Sequence, residues 1–379
     1  MKSMTRRSLE RETANSSPSP NHLKGVVLHG GSGTRLRPLT HTGPKQLIPI
    51  ANKPVSEYAI EDLLSLGIKE IAFVLGDVHP EKVKEHYGDG SAYGAKFIYL
   101  AQDEPRGIAH AIGLCRKFVG GSPFVVYLGD NLIKGGIMKQ AQEFQTGKAD
   151  ATVLLSKVKD PSKFGVAKLD YHNKLVKLEE KPKKPASNLA LTGIYLFKPA
   201  IFEMIEKLRP SWRNELEITE AIQLLLENGH RVDYHVVEGW WKDTGTPEDI
   251  LESNRLVLDE ITRKIEGTVG DEDSIQGRVK VAKNAKVAEG ATVRGPSVIG
   301  VGAMLESGVY VGPYTSIGNH VVMRRGEVEN SIIMDNCVID IHDRITGSII
   351  GQGTTITSNN HNSPKGLRLT LGENCQLNL

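Results

Sequence analysis

Two different hydrophobic periods divide the chain. Residues 25–28, 71–75, 96–100 and 124–128 are short apolar runs rich in β-branched and aromatic side chains, and they read as buried strands. The segments between them are amphipathic at helical spacing. Residues 54–66 place Val55, Tyr58, Ala59, Leu63 and Leu66 on one face, with Pro54 at the first turn and Gly67 as the stop. Strand, helix, strand in this order predicts an α/β domain whose mostly parallel sheet is covered on both faces, with ligands beyond the carboxyl ends of the strands. The later strands, 150–158 and 189–197, are closer together, which predicts an antiparallel or mixed extension of that sheet.

Beyond a Gly-, Asp- and Glu-bearing stretch at 267–273 the helical pattern stops and a period of six takes over. Ile275, Val281, Val287, Val293, Ile299, Leu305, Val311, Ile317 and Met323 are nine aliphatic residues at strict spacing. The phase slips after Glu329 and resumes at Ile333, Ile339 and Ile345, before Ile350 and Ile356. A sandwich would show a period of two with turns every 8 to 12 residues, so this run predicts a hexapeptide solenoid in which every sixth side chain points inward. The expected organisation is a disordered N-terminal extension over residues 1–22, an α/β domain over 23–265 and the solenoid over 266–379. The extension is expected from its polar Ser-Ser-Pro-Ser-Pro composition, which buries too little to offset ordering entropy.

Charge and cysteine content narrow the classes. Across 379 residues, 47 Lys and Arg against 45 Asp and Glu leave a net charge of +2, which argues against a nucleic acid polymer or an anionic membrane as partner. No apolar run reaches the ~20 residues needed to cross a bilayer. The cysteines, Cys115, Cys337 and Cys375, are odd in number and never spaced as a metal knuckle, so free thiols in a reducing, cytoplasmic setting are expected.

The candidate chemistry follows the first strand. In Gly30-Gly31-Ser32-Gly33-Thr34-Arg35-Leu36, then Pro44-Lys45-Gln46, three glycines let backbone N–H groups approach a polyphosphate, and Arg35 and Lys45 add cations where a triphosphate would lie. The loop lacks the Gly-Lys-Ser/Thr ending of a Walker loop, and Leu36 occupies the third glycine position of a dinucleotide fingerprint. The strand at 124–128 ends in Gly129-Asp130-Asn131, a place from which a carboxylate can hold Mg²⁺ against a bound phosphate. Asp243, in Trp241-Lys242-Asp243-Thr244-Gly245, is the natural second carboxylate. As a bland alternative, it caps the helix starting near Pro247.

Together with Gly88-Asp89-Gly90-Ser91, Leu178-Glu179-Glu180-Lys181-Pro182, Thr192-Gly193-Ile194-Tyr195 and Glu215-Leu216-Glu217-Ile218-Thr219, these motifs resemble those of the sugar-1-phosphate nucleotidylyltransferases. Within that family the chain is most similar to the glucose-1-phosphate thymidylyltransferases of the long type. The resemblance implies a Rossmann-like α/β nucleotidyltransferase domain with a mixed central sheet, followed by a left-handed β-helix. It also implies residue roles. Leu28, Gly30, Gly31, Gly33, Thr34, Arg35, Lys45, Gln46, Gln102, Gly107 and Asp130 would bind the nucleotide, with Arg35, Lys45 and Asp130 catalytic. Gly165, Glu180, Lys181, Tyr195 and Trp241 would hold the sugar phosphate, and Asp130 with Asp243 the Mg²⁺. His29 and Phe164 stand where the family usually has a small residue and a Tyr, and Trp212-Arg213-Asn214 departs from the usual loop. His29 is given no role.

The implied reaction joins dTTP to glucose 1-phosphate, giving dTDP-glucose and pyrophosphate, the first step towards dTDP-deoxysugars, and a homo-oligomer assembled through the solenoid is expected. Two alternatives stay open. One is a UTP-dependent uridylyltransferase whose solenoid adds N-acetyl transfer, for which His320, His342 and His361 are available bases. The other is a non-catalytic regulatory subunit.

Overall fold

The computed structural model describes residues 22–358, so the expected disordered extension, His361 and Cys375 lie outside the described residues, apart from His22. Its first unit is a nine-stranded mixed sheet. Four strands, β1 (Lys24–His29), β2 (Glu70–Leu75), β3 (Lys96–Ala101) and β4 (Phe124–Leu128), pair in parallel in the order β4-β1-β2-β3. Helix α1 (Val55–Ser65) begins and ends within a residue of the expected helix. A two-stranded ribbon follows from β5 (Asn131–Ile133). The sheet is then completed by β6 (Ala151–Lys157), β7 (Gly165–Leu169), β8 (Leu175–Glu180), β9 (Leu189–Phe197) and β10 (Val232–Val236), which pairs in parallel with β6. β9 runs antiparallel to β4, β6 and β7, the mixed extension expected from the close spacing of these strands.

Both faces of the sheet are packed. One carries Val26, Val126, Val153 and Phe197 with Ile218 and Ile222 of α2 (Ile218–Glu227); the other carries Val27, Phe73, Val125 and Ile194 with Ile60 and Leu63 of α1. Burial of both faces explains the continuous apolar runs of the parallel strands.

One charge lies inside the second layer. Tyr127 Oη donates to Asp62 Oδ2 (3.1 Å), and burial pushes the Asp62 carboxyl up to about 6 despite that hydrogen bond. The native state therefore binds this proton more tightly than the unfolded chain does between about pH 4 and 6. The stabilisation is complete below that window and lost as pH rises through 6. Asp62→Asn is expected to be more stable than the parent at pH 8, by roughly 1 to 3 kcal/mol, with the advantage shrinking towards pH 4. Urea unfolding at the two pH values checks this; an equal or smaller stability at pH 8 contradicts it.

The chain leaves the sheet through β10 (Val232–Val236), the ribbon strand β11 (Trp241–Asp243) and helix α3 (Pro247–Leu258). From Lys264–Ile265 onward the strands pair in parallel, most of them two or three residues long, with longer ones at Val322–Glu329 and Val338–Thr346. Ile275 pairs with Val293, and Val293 with Val311; Val281 pairs with Ile299, and Ile299 with Ile317. Partners are eighteen residues apart, three hexads per coil, and the coils stack as parallel ladders. All nine residues of the hexad series are buried in one core, with Ile333 and Ile339 continuing it.

Candidate active site

The site forms where the carboxyl ends of β1 and β4 meet the ribbon. Gly129 N–H donates to Leu28 C=O (3.0 Å), which closes the two strand ends together. β5 pairs antiparallel with β11, placing Asp243 opposite Asn131. Thr244 donates to the Asp130 carbonyl from its backbone N–H (3.0 Å) and its hydroxyl (2.8 Å). The ribbon thus brings Asp130 and Asp243, 113 positions apart in sequence, to one place.

Four charges share that place. Lys45 Nζ pairs with Asp130 Oδ2, and Asn131 Nδ2 donates to Asp130 Oδ1 (3.0 Å). Burial opposes the charge on both partners, but their attraction and hydrogen bond outweigh it, lowering Asp130 and raising Lys45. Asp243 behaves differently. Burial and the neighbouring Asp130 charge push it up to about 6 against the pull of Lys45 and Arg35. Its neighbour Gly245 lies against the Arg35 guanidinium, where an added Cβ would fall 2.9 Å from Arg35 Nη2. Arg35 is exposed, and Lys45 lines the loop beside Gly31.

The loop itself is tightly tied. Gly33 adopts φ 61°, and a Cβ there would sit 2.8 Å from Thr40 Cγ2, so the glycine is required twice over. Thr40 Oγ1 donates to the Gly33 carbonyl (2.8 Å). Gln46 Nε2 donates to the Gly30 carbonyl (3.0 Å), leaving its buried Oε1 unpaired among the described residues. Gln102 is buried beside Gly30, and its Nε2 donates to the Gly107 carbonyl (3.3 Å). Thus Gln46 and Gln102 meet the loop at Gly30, Lys45 meets it at Gly31, and Gly107 connects to it through Gln102, packed itself against Leu216 and Glu215. His29 lies beneath it as a neutral imidazole that burial pushes down to about 3, edge-on to Phe73 at 5.4 Å.

A second cluster adjoins the first. Glu180 Oε2 accepts from Thr219 Oγ1 (2.5 Å), and its Oε1 lies 3.6 Å from Arg213 Nη1 and 3.8 Å from Lys181 Nζ. Gly165 sits directly against Glu180 and Thr219. Trp241 links the two clusters: its Nε1 donates to Asn131 Oδ1 (2.8 Å) and Thr192 C=O (2.9 Å), and its ring meets Phe164 edge-on at 5.4 Å. Tyr195 of β9 is 3% exposed and stacked on Phe197 at 5.7 Å, and burial, then the Glu180 charge, pushes its hydroxyl up. Arg213 is the residue that motif reading missed. It pairs with Glu215 (2.8 Å), Glu217 (3.4 Å) and Glu180, which puts a guanidinium beside Lys181. The only sequence signal for it was the charge reversal at Arg213-Asn214-Glu215.

Among the described residues no group of three His, Cys, Asp or Glu side chains gathers to hold a metal. The two carboxylates suit a hard cation all the same. Asp243 is half-buried and pushed towards neutrality, a state that a divalent cation would relieve, and Mg²⁺ commonly takes one or two carboxylates and completes its shell with phosphate and water.

A glycine-rich loop and two carboxylates at the carboxyl edge of an α/β sheet are the arrangement expected of a nucleotide-binding transferase. Residues 24–260 match the Nucleotidyl transferase family, and the chain belongs to it. It is 50% identical over 357 residues to the Low-salt glycan biosynthesis nucleotidyltransferase Agl11 of Haloferax volcanii, covering 94% of this chain and 100% of that protein. It is 44% identical over 358 residues to a Glucose-1-phosphate thymidylyltransferase of Streptomyces antibioticus, covering 94% and 99%. Among solved structures, that of a putative Glucose-1-Phosphate Thymidylyltransferase from Bacillus anthracis in complex with a sucrose superposes with TM-score 0.60 at 40% identity, covering 64% of this chain and 98% of that one.

Proposed function

We propose that the protein transfers the thymidylyl group of dTTP to glucose 1-phosphate, releasing pyrophosphate and forming dTDP-glucose, in the cytoplasm. The observation that carries this reading is the convergence of Arg35, Lys45, Asp130 and Asp243 at the glycine loop, with a second charged cluster, Lys181 and Arg213 among Glu180, Glu215 and Glu217, alongside. A phosphate oxygen of the sugar attacks the α-phosphorus, the bond to the β-phosphate oxygen breaks, and pyrophosphate leaves with that electron pair. The attacking phosphate is already anionic at neutral pH, so no protein base is required and positioning with charge neutralisation does most of the work.

The side chains divide that work. The loop amides and Arg35 bind the triphosphate, and Lys45 neutralises charge growing on the α-phosphate. Before substrate arrives, Lys45 and Asp130 neutralise each other; phosphate then takes over the lysine and frees the carboxylate. Asp130 and Asp243 would hold Mg²⁺, which supplies Lewis-acid stabilisation of the phosphate oxygens when bound. Gln102 and Gln46, with its unpaired Oε1, face the base and ribose. Lys181 and Arg213 hold the sugar's phosphate, Glu180 accepts from its hydroxyls, and Gly165 and Trp241 shape the wall. The stacked C-terminal coils are read as a left-handed β-helix over 266–379 that serves assembly of a homo-oligomer, following an α/β domain at 23–265.

Pyrophosphate release with Mg²⁺ over a grid of dTTP, UTP, GTP and CTP against glucose, galactose, mannose and N-acetylglucosamine 1-phosphates tests the reading. The highest kcat/KM is expected for dTTP with glucose 1-phosphate. A peak at UTP with an amino-sugar phosphate overturns the substrate assignment in favour of a uridylyltransferase. Silence across the grid overturns catalysis and leaves a regulatory subunit.

A further inference from the structure

We propose that the C-terminal coils position the phosphate loop and the Lys45 segment, so that the second unit sets how well the first binds a nucleoside triphosphate. In an isolated solenoid the side chains between the inward hexad positions face solvent and are expected to be polar. One outward column breaks that rule. Val298, Ser316, Ile332 and Ile349 stack in register on successive coils, and the first three are buried although they point away from the coil interior.

The α/β unit covers this column at the segments that carry the triphosphate cations. Ile332, Met334 and Ile349 share a cluster with Leu36, Leu39, Ile48 and Ile250. Leu36 follows Arg35 directly. Leu39 precedes Thr40, whose hydroxyl holds the Gly33 carbonyl, and it packs beside Gly351 of the last described coil. Ile48 closes the turn that begins at Lys45.

A polar latch fixes the hairpin that follows. Ala51 and Asn52 form its tip with φ of 48° and 65°, and alanine in the left-handed region needs external support. Asn254 of α3, fully buried, supplies it. Its Oδ1 accepts from Ala51 N–H (2.8 Å) and from Ser316 Oγ (2.7 Å), and its Nδ2 donates to Tyr314 C=O (3.1 Å). Asn52 Nδ2 donates to Ile317 C=O (2.6 Å). The coil carrying residues 314–317 therefore grips the hairpin just beyond Lys45, and the next two coils grip the segment just beyond Arg35. These are positioning residues; none of them reaches a substrate.

The inference rests on the nucleotidyl-transfer reading for its kinetic arm only, and a second arm reads the loop directly. Met334→Ala and Ser316→Ala loosen the column, while Val293→Ala trims an inward side chain that belongs to neither cluster shared with the α/β unit. In the full chain, amide exchange over residues 33–48 is expected to rise ~5-fold or more in Met334→Ala and Ser316→Ala and to stay unchanged in Val293→Ala. KM for dTTP is expected to rise by a similar factor in the first two and to stay unchanged in Val293→Ala, with KM for glucose 1-phosphate unaffected in all three. Unchanged exchange in both column variants overturns the proposal, as does an equal change in Val293→Ala at matched loss of Tm. A wild-type chain that releases no pyrophosphate would sink the reaction assignment, and the exchange arm would still decide this one.

Discussion

Asp130→Asn is expected to lower pyrophosphate release by about 10³-fold or more, about 4 kcal/mol of transition-state stabilisation, while the chain stays folded. Asparagine keeps the shape and can still accept from Asn131, and the Thr244 bonds end on the Asp130 backbone carbonyl, which the substitution leaves in place. Lys45 retains Asp243 as a nearby countercharge. What disappears is one of the two carboxylates assigned to the cation, leaving Asp243 alone. Steady-state assay across a Mg²⁺ series, beside circular dichroism, checks the outcome. A folded variant with more than a tenth of the parent's turnover contradicts the role given to Asp130.

Lys45→Ala is expected to cost about 10²- to 10³-fold in kcat, with a rise in KM for dTTP and little change in KM for glucose 1-phosphate. Two effects act together. The transition state loses a cation placed beside the loop, and Asp130 loses the partner that keeps it ionised against burial. With Asp243 already pushed up to about 6, the carboxylate pair then takes up a proton more readily. The acid limb of the rate profile should therefore move to higher pH in the variant than in the parent. An unchanged acid limb together with parental kcat would remove Lys45 from the mechanism.

Much of this site is visible along the chain, and the reasons differ from part to part. The glycine loop and Lys45 lie close together along the chain, so a candidate phosphate cradle can be named from sequence. Asp130 is legible because a strand end is a position with known geometry. Asp243 joins it through a three-residue ribbon between β5 and β11, a pairing too short to leave a periodic signal. Arg213 escaped notice because its value lies in which carboxylates it meets in space. In the second unit, the hexad of inward residues is strict and readily seen. The outward apolar residues Val298, Ile332 and Ile349 were also in plain view, yet their meaning needs the register of three coils and the α/β surface that covers them.

The central claim is a direct, single displacement on the α-phosphorus at the Lys45 and Asp130 site. Its most direct measurement follows dTTP labelled at the α-phosphate, with and without glucose 1-phosphate, and asks where the label goes. The account predicts label only in the nucleotide sugar, one pyrophosphate per sugar phosphate consumed, and none released without the sugar. Label appearing as dTMP without glucose 1-phosphate, or retained covalently on the protein, would contradict it.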